Sequence, residues 1–185
     1  MSIQVAGHTE LCPLKTFAGE PIYQSETPTE QDVKERLKKY YWPYHHKLQQ
    51  WISKTRNKFG LAIVYEAHSI KSRVPRLFDG ILPDLNLGTF DGRSCHAELE
   101  ELVWENMQAS NYAQARNERF KGGYITRFYG QPGKNVFTLQ MEIAQHCYLD
   151  ESTRKIDGEK FAQLQEFLHG LTENIISWGN TYGKV

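Results

Sequence analysis

The sequence predicts an α/β protein: an open, mixed sheet with flanking helices. Three observations carry that prediction. Leu61-Ala62-Ile63-Val64-Tyr65 is a short apolar run after a helical pattern, which reads as a buried strand. Polar residues Glu66, His68 and Ser69 follow it, where open α/β sheets place their ligands. The elements then run helix, strand, strand, helix, strand, strand, helix, an order that suits helices packed on a sheet.

Each element has a local reason. Met1 to Thr29 is irregular, because Pro13, Gly19, Pro21 and Pro28 interrupt any period, with Phe17, Ile22 and Tyr23 as loop anchors. Thr29 is the expected N-cap of the first helix, with Asp32 at the capping-box position. Val33, Leu37, Tyr40, Tyr41, Tyr44, Leu48, Trp51 and Ile52 recur at helical spacing. Pro43 lies inside that pattern and should kink or divide the helix, since it lacks an N–H and its ring meets the preceding turn. Asp84 to Thr89 is a second short strand, and Ala97 to Met107 a helix through Leu99, Leu102, Val103 and Trp104. Tyr124 to Tyr129 alternates and reads as a strand. Asn135 to Ile143 reads as another, with Val136, Thr138, Gln140 and Glu142 on one face. A last helix runs from about Gly158 to Trp178. No repeat, low-complexity tract or linker divides the 185 residues, so one domain over 1–185 is expected.

Composition narrows the function. Lysine plus arginine balance aspartate plus glutamate at 22 each and the pI is about 7.1, so no global charge draws the chain to nucleic acid or an anionic membrane. No apolar run reaches the ~20 residues of a membrane span, and the N-terminus lacks the features of a signal peptide. Cys12, Cys95 and Cys147 fit neither a disulfide framework nor a Cys-x-x-Cys knuckle, so a reducing cytoplasm is the simplest expectation. His96-Ala97-Glu98 has the His-x-Glu form of zinc deaminases, but no Pro-Cys-x-x-Cys follows. His45-His46 reads as helix surface plus one buried ring. His8, His146 and His169 have no acidic or cysteine partner at ligand spacing and read as structural.

Two residues stand out. His68 ends the most strand-like run, where a strand terminus would hold an imidazole rigidly as a metal ligand; the alternative is a structural histidine. Ser72, Arg73, Arg76, Asp84 and Asn86 crowd the same stretch. Glu142 lies in an otherwise apolar strand, where a carboxylate is either ion-paired or poised as a base, with burial raising its pKa. Lys71, Arg73, Arg76, Arg93, Arg116, Arg119, Lys121 and Arg127 fall between the two, interleaved with Gly122, Gly123 and Gly130. They form either an anion-binding surface or a solvated loop.

Longer strings then resemble a known family. Glu66-Ala67-His68-Ser69-Ile70, Val74-Pro75-Arg76-Leu77-Phe78-Asp79-Gly80 and Leu82-Pro83-Asp84-Leu85-Asn86-Leu87-Gly88-Thr89 are similar to N-formylglutamate amidohydrolases. So are Arg119 to Arg127, Leu139 to Ala144, Leu11-Cys12-Pro13 with Phe17 to Pro21, and Tyr41-Trp42-Pro43-Tyr44-His45. The likeness runs over most of residues 9 to 151. It implies a fold like the zinc carboxypeptidase and aspartoacylase group (phosphorylase/hydrolase-like), with a metal at the strand ends. It implies hydrolysis of N-formyl-L-glutamate to formate and glutamate, late in one route of histidine breakdown. His68 matches a metal-binding histidine, for a divalent ion such as zinc, and Glu142 the glutamate that activates water. Arg76 and Arg127 match positions for the carboxylates of a dianionic small molecule, with Arg73 and Asn86 beside them. No nucleic acid or membrane partner is implied. Two departures come with the likeness. Glu66 stands where the family usually has aspartate, and the strings begin after the N-terminal section that supplies the family's other metal ligands. The chain is therefore expected to be the C-terminal part of the family domain, with His8-Thr9-Glu10 as an alternative ligand source and a non-catalytic binding protein or another N-acyl amino acid hydrolase as alternative functions.

Overall fold

A computed structural model describes residues 12–16 and 19–183. Phe17 and the stretch His8-Thr9-Glu10 lie outside the described residues. Two compact units are defined, one of residues 1–51 and 74–80, the other of residues 52–73 and 81–185.

In the first unit, Thr29 caps helix α1 (Glu30–Arg36) through a full capping box with Asp32, as its residue types require. A π-helical turn, Leu37–Tyr41, separates α1 from α2 (Trp42–Phe59). The expected disruption at Pro43 therefore takes the form of one widened turn directly ahead of the proline, which relieves its clash with the preceding carbonyls. Tyr23 anchors the irregular segment as expected, its hydroxyl accepting from Arg36 Nη1 at 2.8 Å.

The second unit holds the sheet. Strand β1 (Ala62–Ile70), β2 (Leu85–Gly88), β3 (Gln114–Arg116) and β4 (Val136–Ala144) lie in the order β1-β4-β2-β3. β1 runs parallel to β4, β4 antiparallel to β2, and β2 parallel to β3, so the sheet is mixed as predicted. Helices α3 (Ala97–Gln108) and α5 (Gly158–Tyr182) pack on each other. Phe137 of β4 meets Trp178 and Tyr182 of α5, and a Cβ at Gly179 would lie 3.3 Å from Ile63 of β1. The core on that side is apolar: Leu85, Leu87, Leu99, Val103, Met107, Leu139, Met141 and Leu171 are essentially inaccessible. Burial of this kind contributes about 25 cal/mol per Å² of apolar surface.

The opposite face of the sheet is covered by α4 (Tyr124–Tyr129). This corrects the sequence reading, which made Tyr124–Tyr129 a strand. Gly123 opens the segment, Thr126 and Tyr129 turn inward, and Thr138 Oγ1 donates to the Thr126 carbonyl at 2.7 Å. That inward pair is spaced three residues apart, a helical interval that the aromatic alternation disguised. The two-residue hairpin strands β5 (Leu149–Asp150) and β6 (Lys155–Ile156) and the short β3 carry too little pattern to be read. β1 continues to Ile70, so Glu66, His68 and Ser69 lie within the strand rather than after it. No helix among the described residues is long and apolar enough to cross a membrane.

Candidate active site

Strand register assembles the site. His68 of β1 is aligned with Glu142 of β4, and Glu142 with Asn86 of β2. Residues aligned across a sheet point to the same face, so the three form one row. The row two residues away reads Glu66, Gln140, Gly88. Period-two alternation puts both rows on the α4 face, and the apolar Phe137, Leu139 and Met141 on the other.

Side-chain bonds tie the rows together. His68 Nε2 lies 2.9 Å from Glu66 Oε1, and Thr126 Oγ1 donates to Glu66 Oε2 at 3.0 Å. Gln140 Nε2 donates to Glu142 Oε2 at 3.1 Å, while the Gly123 N–H donates to Gln140 Oε1 at 2.7 Å. The start of α4 thus fixes Gln140, and Gln140 fixes Glu142. Asn86 Nδ2 donates to the carbonyls of Pro83 at 2.7 Å and Glu142 at 3.2 Å. Its Oδ1 is buried without a hydrogen-bond partner.

The α4 entry loop can come this close only because Gly88 has no side chain: a Cβ there would lie 2.5 Å from the Gly122 nitrogen. Gly122 itself has a φ of +103°, open to glycine alone at low cost.

Burial dominates the electrostatics of Glu142. Glu142 is 7 % exposed, and loss of hydration pushes its carboxyl above the usual range. His68 and the Gln140 bond pull it back, and the Glu66 charge adds to the rise. A largely dehydrated carboxyl beside an imidazole and a second carboxylate can take and return a proton.

The remaining predicted residues are exposed arginines. Arg127, exposed on α4, donates through Nη1 to the Gly122 carbonyl at 3.2 Å. Arg73 is exposed after β1. Arg76 belongs to the first unit and donates to the Thr16 carbonyl at 2.6 Å. Several of the other cations are matched to acids: Arg116 with Glu101 at 2.7 Å and Lys121 with Asp91 at 3.0 Å. Sequence reasoning passed over Thr126, which a helix at 124–129 would have exposed.

It also missed the partners that the fold gives His146. Among the described residues, Asp84, His146 and Cys147 bring one ligand atom each within 4.8 Å of one another, and no three donors converge around His68. The aspartate is 62 positions from the histidine in sequence, so spacing could not reveal it. The adjacent Cys147 was the visible signal.

Fold and site together define an open-sheet α/β protein with a histidine–carboxylate row laid across three strands. The N-formylglutamate amidohydrolase family model matches residues 1–149, and the chain belongs to that family. It is 41% identical over 174 residues to N-formylglutamate deformylase of Pseudomonas putida, covering 92% of this chain and 65% of that protein. It is 38% identical over 177 residues to the Pseudomonas aeruginosa protein of the same name, again covering 92% and 65%. The chain therefore spans just under two thirds of these curated relatives. The solved N-formylglutamate amidohydrolase of Ralstonia eutropha JMP134 superposes with a TM-score of 0.74 at 31% identity, over 87% of this chain and 59% of that one. A gene product of Agrobacterium tumefaciens gives 0.66 at 15% identity over 89% and 61%, a likeness of fold.

Proposed function

We propose that this chain carries the base and part of the substrate site of an enzyme that hydrolyses N-formyl-L-glutamate to formate and L-glutamate, a step of histidine breakdown. The observation that supports it most is Glu142: a buried carboxylate with a raised pKa, aligned with His68 and held by Gln140. In this reading Glu142 removes a proton from water as the water oxygen bonds to the formyl carbon. The C–N bond then breaks, and the same proton passes to the departing amine. Gln140 keeps one carboxylate oxygen oriented, which leaves the other for the water. Arg127 and Arg73 supply guanidinium groups for the two carboxylates of a dianionic substrate.

A divalent ion, zinc by the family likeness, would polarise the formyl oxygen. His68 is the donor that β1 offers it. The described residues around His68 do not complete a metal site, and the Nε2 of His68 faces Glu66. Engagement of His68 Nε2 by Glu66 favours a second reading, a protein that binds an acidic N-acyl amino acid without turning it over.

L-Glutamate release from N-formyl-, N-acetyl- and N-succinyl-L-glutamate, followed with and without added zinc, separates these readings. Release from the formyl compound alone, lost in Glu142→Gln, supports the deformylase. Binding heat without release supports the second reading, and turnover unchanged in Glu142→Gln would remove Glu142 from the mechanism.

A further inference from the structure

We infer that Asp84, His146 and Cys147 form a zinc site separate from the His68–Glu142 row, which clamps the exit of β4 to the entry of β2. The three donors come from two backbone segments already in contact. The Ala144 N–H donates to the Asp84 carbonyl at 2.9 Å, and the Cys147 thiol donates to that carbonyl at 3.9 Å. Asp84 Oδ1 lies 2.6 Å from His146 Nε2. Its other oxygen, Oδ2, accepts the Ala113 N–H at 2.8 Å. Asp84 is thus held by one oxygen and presents the second, the arrangement in which a neighbouring donor orients a ligating carboxylate.

The donor set selects the ion. One imidazole nitrogen, one thiolate and one carboxylate oxygen make the mixed N/S/O set that zinc accepts in tetrahedral geometry, whereas magnesium and calcium take oxygen. Ligand atoms within 4.8 Å of one another need only small shifts, a widening of the Asp84–His146 pair included, to surround it. Binding replaces the Asp84–His146 contact and releases the Cys147 proton to solvent. Zn²⁺ with one carboxylate and one thiolate is then neutral overall, so Lys160, whose Nζ donates to the His146 carbonyl at 3.3 Å, is not repelled. The three residues line a groove of about 730 Å³ together with Tyr112, Lys160 and Phe167. That groove gives an ion and a water a way in.

The test uses the whole chain, stripped of metal and titrated with Co²⁺ and Zn²⁺. Co²⁺ should bind one per chain with a thiolate-to-cobalt charge-transfer band and tetrahedral visible bands. Cys147→Ser should abolish the charge-transfer band. Asp84→Asn and His146→Gln should weaken binding by about tenfold or more, and His68→Gln should leave the spectrum unchanged. Zn²⁺ should raise the Tm of the unaltered chain by several degrees. The inference is overturned if the unaltered chain shows no charge-transfer band, if the band survives in Cys147→Ser, or if His68→Gln removes it. Should Cys147→Ser fail to fold, zinc-edge X-ray absorption of the unaltered chain decides: one sulfur neighbour supports the site, and none refutes it.

Discussion

His68 and Glu142 are register partners on adjacent parallel strands, β1 and β4, and the Glu142 carboxyl is pulled towards ionisation by that imidazole while burial opposes it. Parallel register makes the pairing a property of the backbone. Sliding β1 by one residue would send His68 to the apolar face. The site is therefore as stable as the β1–β4 strand pair, and its chemistry can be altered without dismantling the fold.

Replacing Glu142 by glutamine is expected to lower turnover of N-formyl-L-glutamate by roughly 100- to 10,000-fold, the range for loss of a general base. The introduced amide can still meet Gln140, so circular dichroism should be unchanged. Steady-state formate assays on the two forms measure the effect, and a loss under about tenfold would mean another group moves the proton.

The same substitution should stabilise the protein at neutral pH. The folded-state pKa of Glu142 is raised above its unfolded value, so the folded state favours the protonated form. Its contribution to stability is present below the usual carboxylate range and fades as pH rises through the raised value. Glutamine removes that loss. Urea midpoints compared at pH 4 and pH 8 should differ little at pH 4 and favour the variant at pH 8. A variant that is less stable at pH 8 contradicts the burial argument.

Asn86→Ala should cost about 1–3 kcal/mol, because two carbonyls, those of Pro83 and Glu142, lose a buried donor. Denaturant unfolding reads this directly. Asn86→Asp should cost more, since it removes the donor and adds a charge beside Glu142. Equal stability of Asn86→Ala and the unaltered chain would mean water replaces the amide.

Gly88→Ala tests the close approach of the α4 entry loop. The new Cβ would meet the Gly122 nitrogen at 2.5 Å and the Lys121 carbonyl carbon at 2.8 Å, both backbone atoms that cannot swing aside. Overpacking of this kind costs about 1–3 kcal/mol. The Gly123–Gln140 bond should loosen with it, so turnover should fall alongside stability. A variant as stable and active as the parent would show that the loop yields freely.

The sheet was legible because its signals are local. The apolar runs at Leu61–Tyr65 and Asn135–Ile143 have strand length and few competing patterns, and Gln140 and Glu142 sit on one face by alternation alone. Thr29 and Asp32 announced the first helix at a spacing of three. The failures are the places where tertiary partners decide. Tyr124–Tyr129 alternates in hydropathy, yet Thr126 must reach both Glu66 and Thr138, and a helix delivers it. Leu85–Gly88 is buried on both faces and only four residues long, so its antiparallel pairing to β4 had no sequence mark. Asp84 and His146 meet across 62 positions. His68 and Glu142, by contrast, were found singly, and register alone joined them.

Glu66→Gln separates the charge of Glu66 from its geometry. A glutamine carbonyl can still accept from Thr126 while its amide NH2 donates to a neutral His68 Nε2, so the scaffold of the row remains. What is lost is a negative charge that raises the Glu142 pKa. Like charges in a partly dehydrated site disfavour joint ionisation, and removing one lets the other ionise more easily. The Glu142 titration should therefore move to lower pH, and the acid limb of turnover with it, since the base is active only when ionised. Carbon-13 NMR of the Glu142 carboxyl, read against Glu142→Gln for assignment, follows the titration without relying on turnover. A shift to higher pH would mean that Glu66 acts mainly by holding His68 close to Glu142, and that its position outweighs its charge.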